Sequence, residues 1–177
     1  MSVIINGSAG VTTNSGAVYD GLQRGTAVTA SGTSVDFTSI PSWVRRITVM
    51  FSGVSTNGTS LVQVQLGDSG GIETTGYTSA VFSTTTAPLV GVSTSTSGLL
   101  AANSVSAATS FSGVMTIVLL NTSNAWLATC TSSRSDNTLY SLSTSNKSLS
   151  DTLTQVRITT VNGTDAFDAG TINIIYE

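Results

Sequence analysis

Along this chain apolar residues recur at every second position, in short runs separated by clusters of glycine, asparagine and serine. No window sustains the 3.6-residue period of an amphipathic helix. Alternation of this kind gives a segment one apolar and one polar side, as a half-buried strand requires. The chain is therefore expected to be all-β. The clearest instance sets Ile47, Val49 and Phe51 against Arg46, Thr48 and Ser52, and Val62, Val64 and Leu66 repeat it against Gln63 and Gln65. Asn57-Gly58 lies between these runs and tolerates the positive φ of tight turns, so the two are expected to form a hairpin with a slightly long loop. A second hairpin is expected from 26–30 and 34–38 around Ser31-Gly32-Thr33. Later strands are expected at 111–120, 125–131, 138–143, 153–160 and 171–176.

With 177 residues the chain makes one domain, long enough to bury about two-thirds of the surface of its unfolded form. Many short antiparallel strands in that length fit an antiparallel β-sandwich, jelly-roll-like in topology. Residues 1–25 carry only a short apolar run and a glycine-rich stretch. They are expected to form an extended N-terminal arm ahead of a sandwich domain over 26–177. Residues 83–110 hold few large side chains and read either as short edge strands or as a long surface excursion. Segment 114–120 is apolar on both sides, with Val114, Val118 and Leu120 alternating with Met115, Ile117 and Leu119. Either a loop covers its second face or that face meets a neighbouring subunit.

Composition removes most enzyme chemistry. The chain has no histidine, hence no Ser-His-Asp or Cys-His machinery and no side chain that titrates near neutrality when unperturbed. Gly67-Asp68-Ser69-Gly70-Gly71 looks like the segment around the nucleophilic serine of chymotrypsin-like proteases, whose base is a histidine. A Ser-Lys dyad would need Lys147, the single lysine, which sits in the polar run Ser145-Asn146-Lys147-Ser148 with no apolar surroundings to lower its pKa. Asp165 and Asp168 lack the spacing of an EF-hand and read as turn residues bonding their own backbone. No pair of carboxylates stands out for glycoside hydrolysis. The chain is expected to be no enzyme and to use no cofactor, and no set of metal-ligand residues stands out in it.

Cys130 is the only cysteine, which excludes an intrachain disulfide and suggests a small buried hydrophobe. Nine acids and six bases give a net charge of −3. So few cations neutralise few phosphates, which argues against nucleic-acid binding. The first residues lack the basic and long apolar regions of a secretory signal, and run 114–120 is far shorter than the roughly 20 residues of a membrane span. No membrane insertion is expected. Serine and threonine form about a third of the chain and are expected on the outward faces of the strands. A surface with little charge repels its own copies weakly and favours association. Trp126, Tyr77 and Tyr140 are candidates to stack on sugars. Trp126 lies in an alternating strand and is expected in the core, which leaves Tyr77 as the better exposed. Arg45 and Arg46 read as an edge-protecting or salt-bridging pair.

Three stretches carry a family resemblance. Gly25-Thr26-Ala27-Val28 through Ser31-Gly32-Thr33-Ser34-Val35-Asp36-Phe37, then Ile40-Pro41-Ser42-Trp43-Val44-Arg45-Arg46-Ile47-Thr48-Val49 and Phe51-Ser52-Gly53-Val54-Ser55-Thr56-Asn57-Gly58, resemble modules in tail-fibre-like virion proteins of tailed bacteriophages. Phe167-Asp168-Ala169-Gly170-Thr171-Ile172-Asn173-Ile174-Ile175-Tyr176-Glu177 resembles their closing strand. Ile4-Ile5-Asn6-Gly7-Ser8-Ala9-Gly10-Val11-Thr12 is similar to short β segments that precede them. The resemblance implies a virion surface protein made in the host cytoplasm, homotrimeric, bound to tail or capsid proteins through an arm in which Val3, Ile4 and Ile5 are the attachment candidates. Asn57, Thr59 and Tyr77 are then the receptor-contact candidates, with loops 55–60 and 83–110 displayed outward toward a host surface glycan. A short tail fibre or receptor-binding trimer is one form of this protein, and a capsid decoration protein is another. A free carbohydrate-binding module is the third reading.

Overall fold

The structure, a computed structural model, describes residues 21–84, 91–103, 106–120, 123–135 and 139–177, together with three strand backbones among the first twenty residues. Those three are β1 (Val3–Asn6), β2 (Gly10–Thr13) and β3 (Val18–Tyr19). The chain continues through β4 (Gln23–Arg24), β5 (Val28–Thr29), β6 (Ser34–Phe37), β7 (Arg46–Thr56), β8 (Val62–Asp68), β9 (Gly71–Ile72) and β10 (Tyr77–Thr84). After these come β11 (Gly91–Ser95), β12 (Leu99–Leu100), β13 (Phe111–Leu119), β14 (Ala125–Arg134), β15 (Tyr140–Ser148), β16 (Gln155–Thr160) and β17 (Phe167–Tyr176). Every regular element among the described residues is a strand.

These strands form an antiparallel β-sandwich. The large sheet has the order β11-β10-β15-β14-β13-β7-β17-β4, with β5 also on β17, and the small sheet has the order β12-β8-β16-β6, with β9 on β8. Ile47, Val49 and Phe51 of β7, Met115 and Ile117 of β13, and Ile172 and Ile174 of β17 supply the large sheet's side of the core. Val62, Val64 and Leu66 of β8, Val156 and Ile158 of β16, and Val35 and Phe37 of β6 supply the other. Each such side chain stabilises the fold by about 1.5–3 kcal/mol when fully removed from water, so the alternation read in the sequence is what holds the two layers together.

Neither expected hairpin forms. β7 lies in the large sheet and β8 in the small one, so the loop after Thr56 crosses the sandwich, and neither Asn57 nor Gly58 adopts a positive φ. β5 pairs with β17 while β6 pairs with β16. Between them Ala30 donates its amide to Gly170 O, and Gly32 O accepts from Phe167 N, so this segment bonds across to β17 rather than back on itself. An inward apolar face is satisfied equally by a strand paired alongside or by one facing it across the core. Alternation alone does not separate the two.

The pairs β7/β17, β8/β16, β10/β15 and β13/β14 are nested in chain order. The outer three alternate between the sheets, but β13/β14 stays in the large sheet, where a jelly roll would carry it to the small one. Segment 83–110 supplies the edge strand β11 and then turns inward, burying Leu99, Leu100, Ala101 and Ala102; residues 85–90 and 104–105 lie outside the described residues. The first strands form a sheet of their own, ordered β1-β2-β3. β4 pairs with β17, so the large sheet takes in Gln23 and Arg24, just ahead of residue 26.

Serine and threonine, both expected outward, divide between the two faces of the large sheet. Ser79, Ser83, Ser132, Ser141, Ser143 and Ser145 are buried, whereas Thr78, Thr129, Thr131 and Thr144 face out. Three of the inward hydroxyls, those of Ser79, Ser132 and Ser141, serve the backbone of 99–103, most of which has no full strand ladder, while Ser145 bonds Ser79 and Ser83 bonds Ser141. Leu100 N donates to Ser79 Oγ at 2.9 Å and Ser132 Oγ donates to Ala101 O at 3.0 Å. Buried peptide groups need such partners, and serine supplies them without the extra methyl of threonine.

Candidate functional site

The most distinctive surface is the outer face of the large sheet. Its strands alternate, so core residues of β13, β14, β15 and β10 are interleaved with outward ones, and the register aligns the outward ones in rows about 4.8 Å apart from strand to strand. One row runs Met50, Val114, Thr131, Leu142, Phe82, Val92. The next runs Thr48, Thr116, Thr129, Thr144, Ala80, Thr94, and a third runs Arg46, Val118, Leu127, Asn146, Thr78. A band of hydroxyls thus lies between two bands rich in aliphatic side chains.

Val114, Val118, Leu127 and Leu142 are between 36% and 45% exposed, and Val92 is 61% exposed. No described segment covers them, so among the described residues the second face of segment 114–120 is uncovered. Between β7 and β11 Arg46 is the only charged residue in the three rows, and it is ion-paired with Glu177; beyond β7 the middle row continues through Ile175 to Arg24 on β4. Neighbouring apolar side chains in an uncharged setting are what an adhesive or assembly surface presents. Two shallow depressions mark the face. One of about 320 Å³ is bordered by Thr78, Thr94, Asn146 and Leu127, and one of about 200 Å³ by Phe82, Val92 and Leu142.

The protease-like string is built differently from a nucleophile site. Asp68 accepts from Gly70 N at 2.7 Å in a tight turn and from Ser150 Oγ at 2.7 Å, while Ser69 is exposed. Lys147, expected in polar surroundings, is instead buried, with its ammonium 5.2 Å from the centre of the Tyr77 ring and ion-paired with Glu73. The Ser150 amide donates to Glu73 Oε1 at 2.7 Å. Burial pushes the Glu73 carboxyl up, but hydrogen bonds from Lys147 and Ser150 outweigh it and hold the group below its ordinary value. The Ser150 hydroxyl, followed by the Gly70 amide, holds Asp68 below its own. An ammonium committed to a carboxylate has no free lone pair with which to take a proton from serine. The cluster ties the 67–73 turn to the end of β15.

Tyr77, expected to be exposed, is buried. Its hydroxyl accepts from Leu66 N at 2.8 Å and donates to Glu73 O at 2.9 Å, so neither ring face nor hydroxyl is available to a receptor. The residue opens a strand whose odd positions point inward. Asn57 is exposed, yet its side-chain oxygen accepts from Ala166 N at 2.9 Å. Thr59 is exposed beside it. Asp165 does not bond its own turn's backbone; its carboxylate accepts from Ser60 N and from Asn162 Nδ2, and Asn162 Oδ1 is the atom that caps Thr164 N and Asp165 N. Asp168 accepts from the Ser55 hydroxyl. Loops 57–60 and 162–166 are therefore clasped together at one end of the sandwich.

Trp126 and Cys130 are core residues, and Tyr140 is exposed at the end of β15. Arg45 bonds the carbonyls of Ser42 and Val44, and Arg46 makes the ion pair already described. Val3, Ile4 and Ile5 lie on β1, opposite Thr13, Thr12 and Val11, and their side chains fall outside the described residues. The rows on the large sheet escaped the sequence reading, although each strand's outward set was visible. Only the register reveals that these sets adjoin.

What fold and surface define together is a class: an antiparallel β-sandwich with one broad, nearly charge-free sheet face. No family model matches the chain, and neither a curated protein nor a solved structure does so.

Proposed function

We propose that this chain is a non-enzymatic surface protein of a tailed-bacteriophage virion, a short tail-fibre or receptor-binding trimer that works by adhesion. The observation that carries this reading is the outer face of the large sheet, where Val114, Val118, Leu127 and Leu142 stand exposed among threonines with no charge between them. Such a face loses little on desolvation and meets no repulsion from a copy of itself. The resemblance of 25–58 and 167–177 to phage virion modules supports the virion setting. The buried ion pair of Lys147 supports a binding role over a catalytic one, because it occupies the residue a serine nucleophile would need. Three linked copies gain avidity from weak contacts without any new contact type.

Gold-labelled antibody on intact particles tests the assignment. Label confined to the tail is the expected result. Label spread over the head would replace it with the capsid decoration reading, and purified particles without the chain would favour a free carbohydrate-binding module.

A further inference from the structure

The two depressions on the large sheet adjoin, and together they make a shallow furrow with Ala80 and Thr144 at its middle. Both are bordered by Ala80 and Thr144, which are cross-strand partners on β10 and β15. Along β15 the furrow runs from Asn146 past Thr144 to Leu142, about 13 Å at 3.3 Å per residue. Both halves are mainly apolar in surface, and the first differs in the polar groups along its border. Around the first stand the hydroxyls of Thr78, Thr94, Thr96 and Thr144 and the amide of Asn146, over a floor that includes Ala80 and Leu127. The second is bordered by Phe82, Val92 and Leu142 and is almost wholly apolar.

The outward polar groups are uncommitted, unlike those beneath them. Ser79 and Ser145, which alternate with Thr78 and Thr144, bond each other at 2.7 Å, and Ser95 bonds Gln63. The side chains of Thr78, Thr94, Thr96, Thr144 and Asn146 make no hydrogen bond to any described residue. The furrow also has no charged wall. Lys147 follows Asn146 in sequence but points to the other face, held by Glu73. A charged ligand would lose its hydration here and gain no counter-charge.

We infer that this furrow binds a neutral N-acetylhexosamine, with ring hydroxyls at the threonine and asparagine end and the acetamido methyl in the depression of Phe82, Val92 and Leu142. A hexose ring offers apolar C–H faces to Ala80 and Leu127 and hydroxyls around its edge. Such pairing of an apolar floor with a few polar groups is how small-molecule sites orient their ligands. The acetamido methyl is the small apolar end that enters the second depression, while the amide N–H and C=O stay at its rim beside the Thr144 hydroxyl. The inference rests on the adhesive reading only for its biological setting.

Saturation-transfer NMR on the full chain tests it, using the methyl glycosides of N-acetylglucosamine and N-acetylgalactosamine, the plain glucoside and galactoside, and glucuronate. Transfer should be strongest at the acetyl methyl of at least one acetamido sugar. Its affinity should exceed that of the matching plain glycoside by about fourfold, the factor one buried methyl contributes, and glucuronate should show no transfer. Thr144→Trp, which fills the junction, should abolish binding. Leu142→Ser should remove the acetamido preference and keep the plain sugar, and unchanged melting temperatures would show both variants folded. Absence of transfer from both acetamido sugars at millimolar concentration, equal transfer from glucuronate, or binding that survives Thr144→Trp would overturn the assignment. A chain found on virion tails that binds no sugar would lose the furrow alone. A chain that binds the sugar yet is absent from particles would keep the furrow and lose the virion reading.

Discussion

A Cβ placed on Gly170 would lie 2.5 Å from the carbonyl oxygen of Gly53, its neighbour on the adjoining strand. Both residues have positive φ, +96° at Gly170 and +60° at Gly53, and the β7/β17 register shifts on either side of Ala169. Two bulged strands touch here, backbone to backbone. Gly170→Ala is expected to lower the unfolding free energy by about 2–3 kcal/mol, since strain and collision act together. Gly163→Ala has a similar φ but open space around it and should cost only about 1 kcal/mol. Urea denaturation of the two variants checks this, and equal midpoints would show that the collision is relieved at no cost.

Acid should loosen the fold through carboxylates that the native state keeps ionised. Glu73 sits below its ordinary value of 4.5 for the reasons given above, and Asp165 sits below 3.8 because Asn162 and the Ser60 amide bond it. A depressed folded pKa means that the unfolded chain binds more protons in this range. The stabilisation is therefore complete above the ordinary values and lost as pH falls through the folded ones. Thermal midpoints should stay level from neutrality to about pH 5 and fall below about 4.5.

Glu73→Gln separates the ion pair from this general acid response. Lys147 has a side chain only 6% exposed, and removing its partner leaves a buried charge uncompensated, at a cost of about 3 kcal/mol at pH 7. The variant's melting temperature should also depend less on pH between 5 and 3 than the parent's. A neutral-pH stability equal to the parent's would show that water reaches the ammonium.

Cys130 should be inert. Its thiol is pushed up to about 12 by burial and donates weakly to Ala101 O at 3.3 Å, so almost no thiolate forms at neutral pH. An aromatic disulfide reagent should label it only after denaturant is added. Rapid labelling of the folded protein would mean that segment 99–103 opens readily.

Charge placed on the sheet face should act on assembly rather than folding. Val114→Lys and Val118→Glu alter exposed positions that lie outside the furrow, where substitutions shift stability by only about 0.5 kcal/mol. Sedimentation should show a trimer for the parent and monomers for both variants. A monomeric parent at working concentration would remove self-association from the proposed role.

Strand content was legible because alternation is local: Ile47, Val49 and Phe51 point inward whichever strand lies beside them. Partner choice was not. β7 pairs with β17, more than a hundred residues later in the chain, and nothing in 46–66 distinguishes that partner from β8. Tyr77 and Lys147 were misread for a related reason. Each is flanked by polar residues in sequence, but on a strand those neighbours face the opposite way, and Tyr77 and Lys147 are themselves register partners. Ser141 of β15 repeats the pattern, since its inward hydroxyl accepts from Asn103 N, on a segment about forty residues earlier.

The nesting of β7 with β17 also sets an order of events during synthesis. β17 is the last of these strands to be made, yet it lies between β7 and β4 in the large sheet and supplies Ile172 and Ile174 to the core. Until it arrives, β7 has a bare edge and the core lacks one wall. The β13-β14-β15 meander can close early from neighbouring residues, while the pairings that complete the sandwich carry the largest loop-closure cost and come late. A nascent chain halted before residue 167 would expose the same aliphatic surface that the finished protein conceals, which makes the closing strand the point at which the chain commits to folding over aggregation.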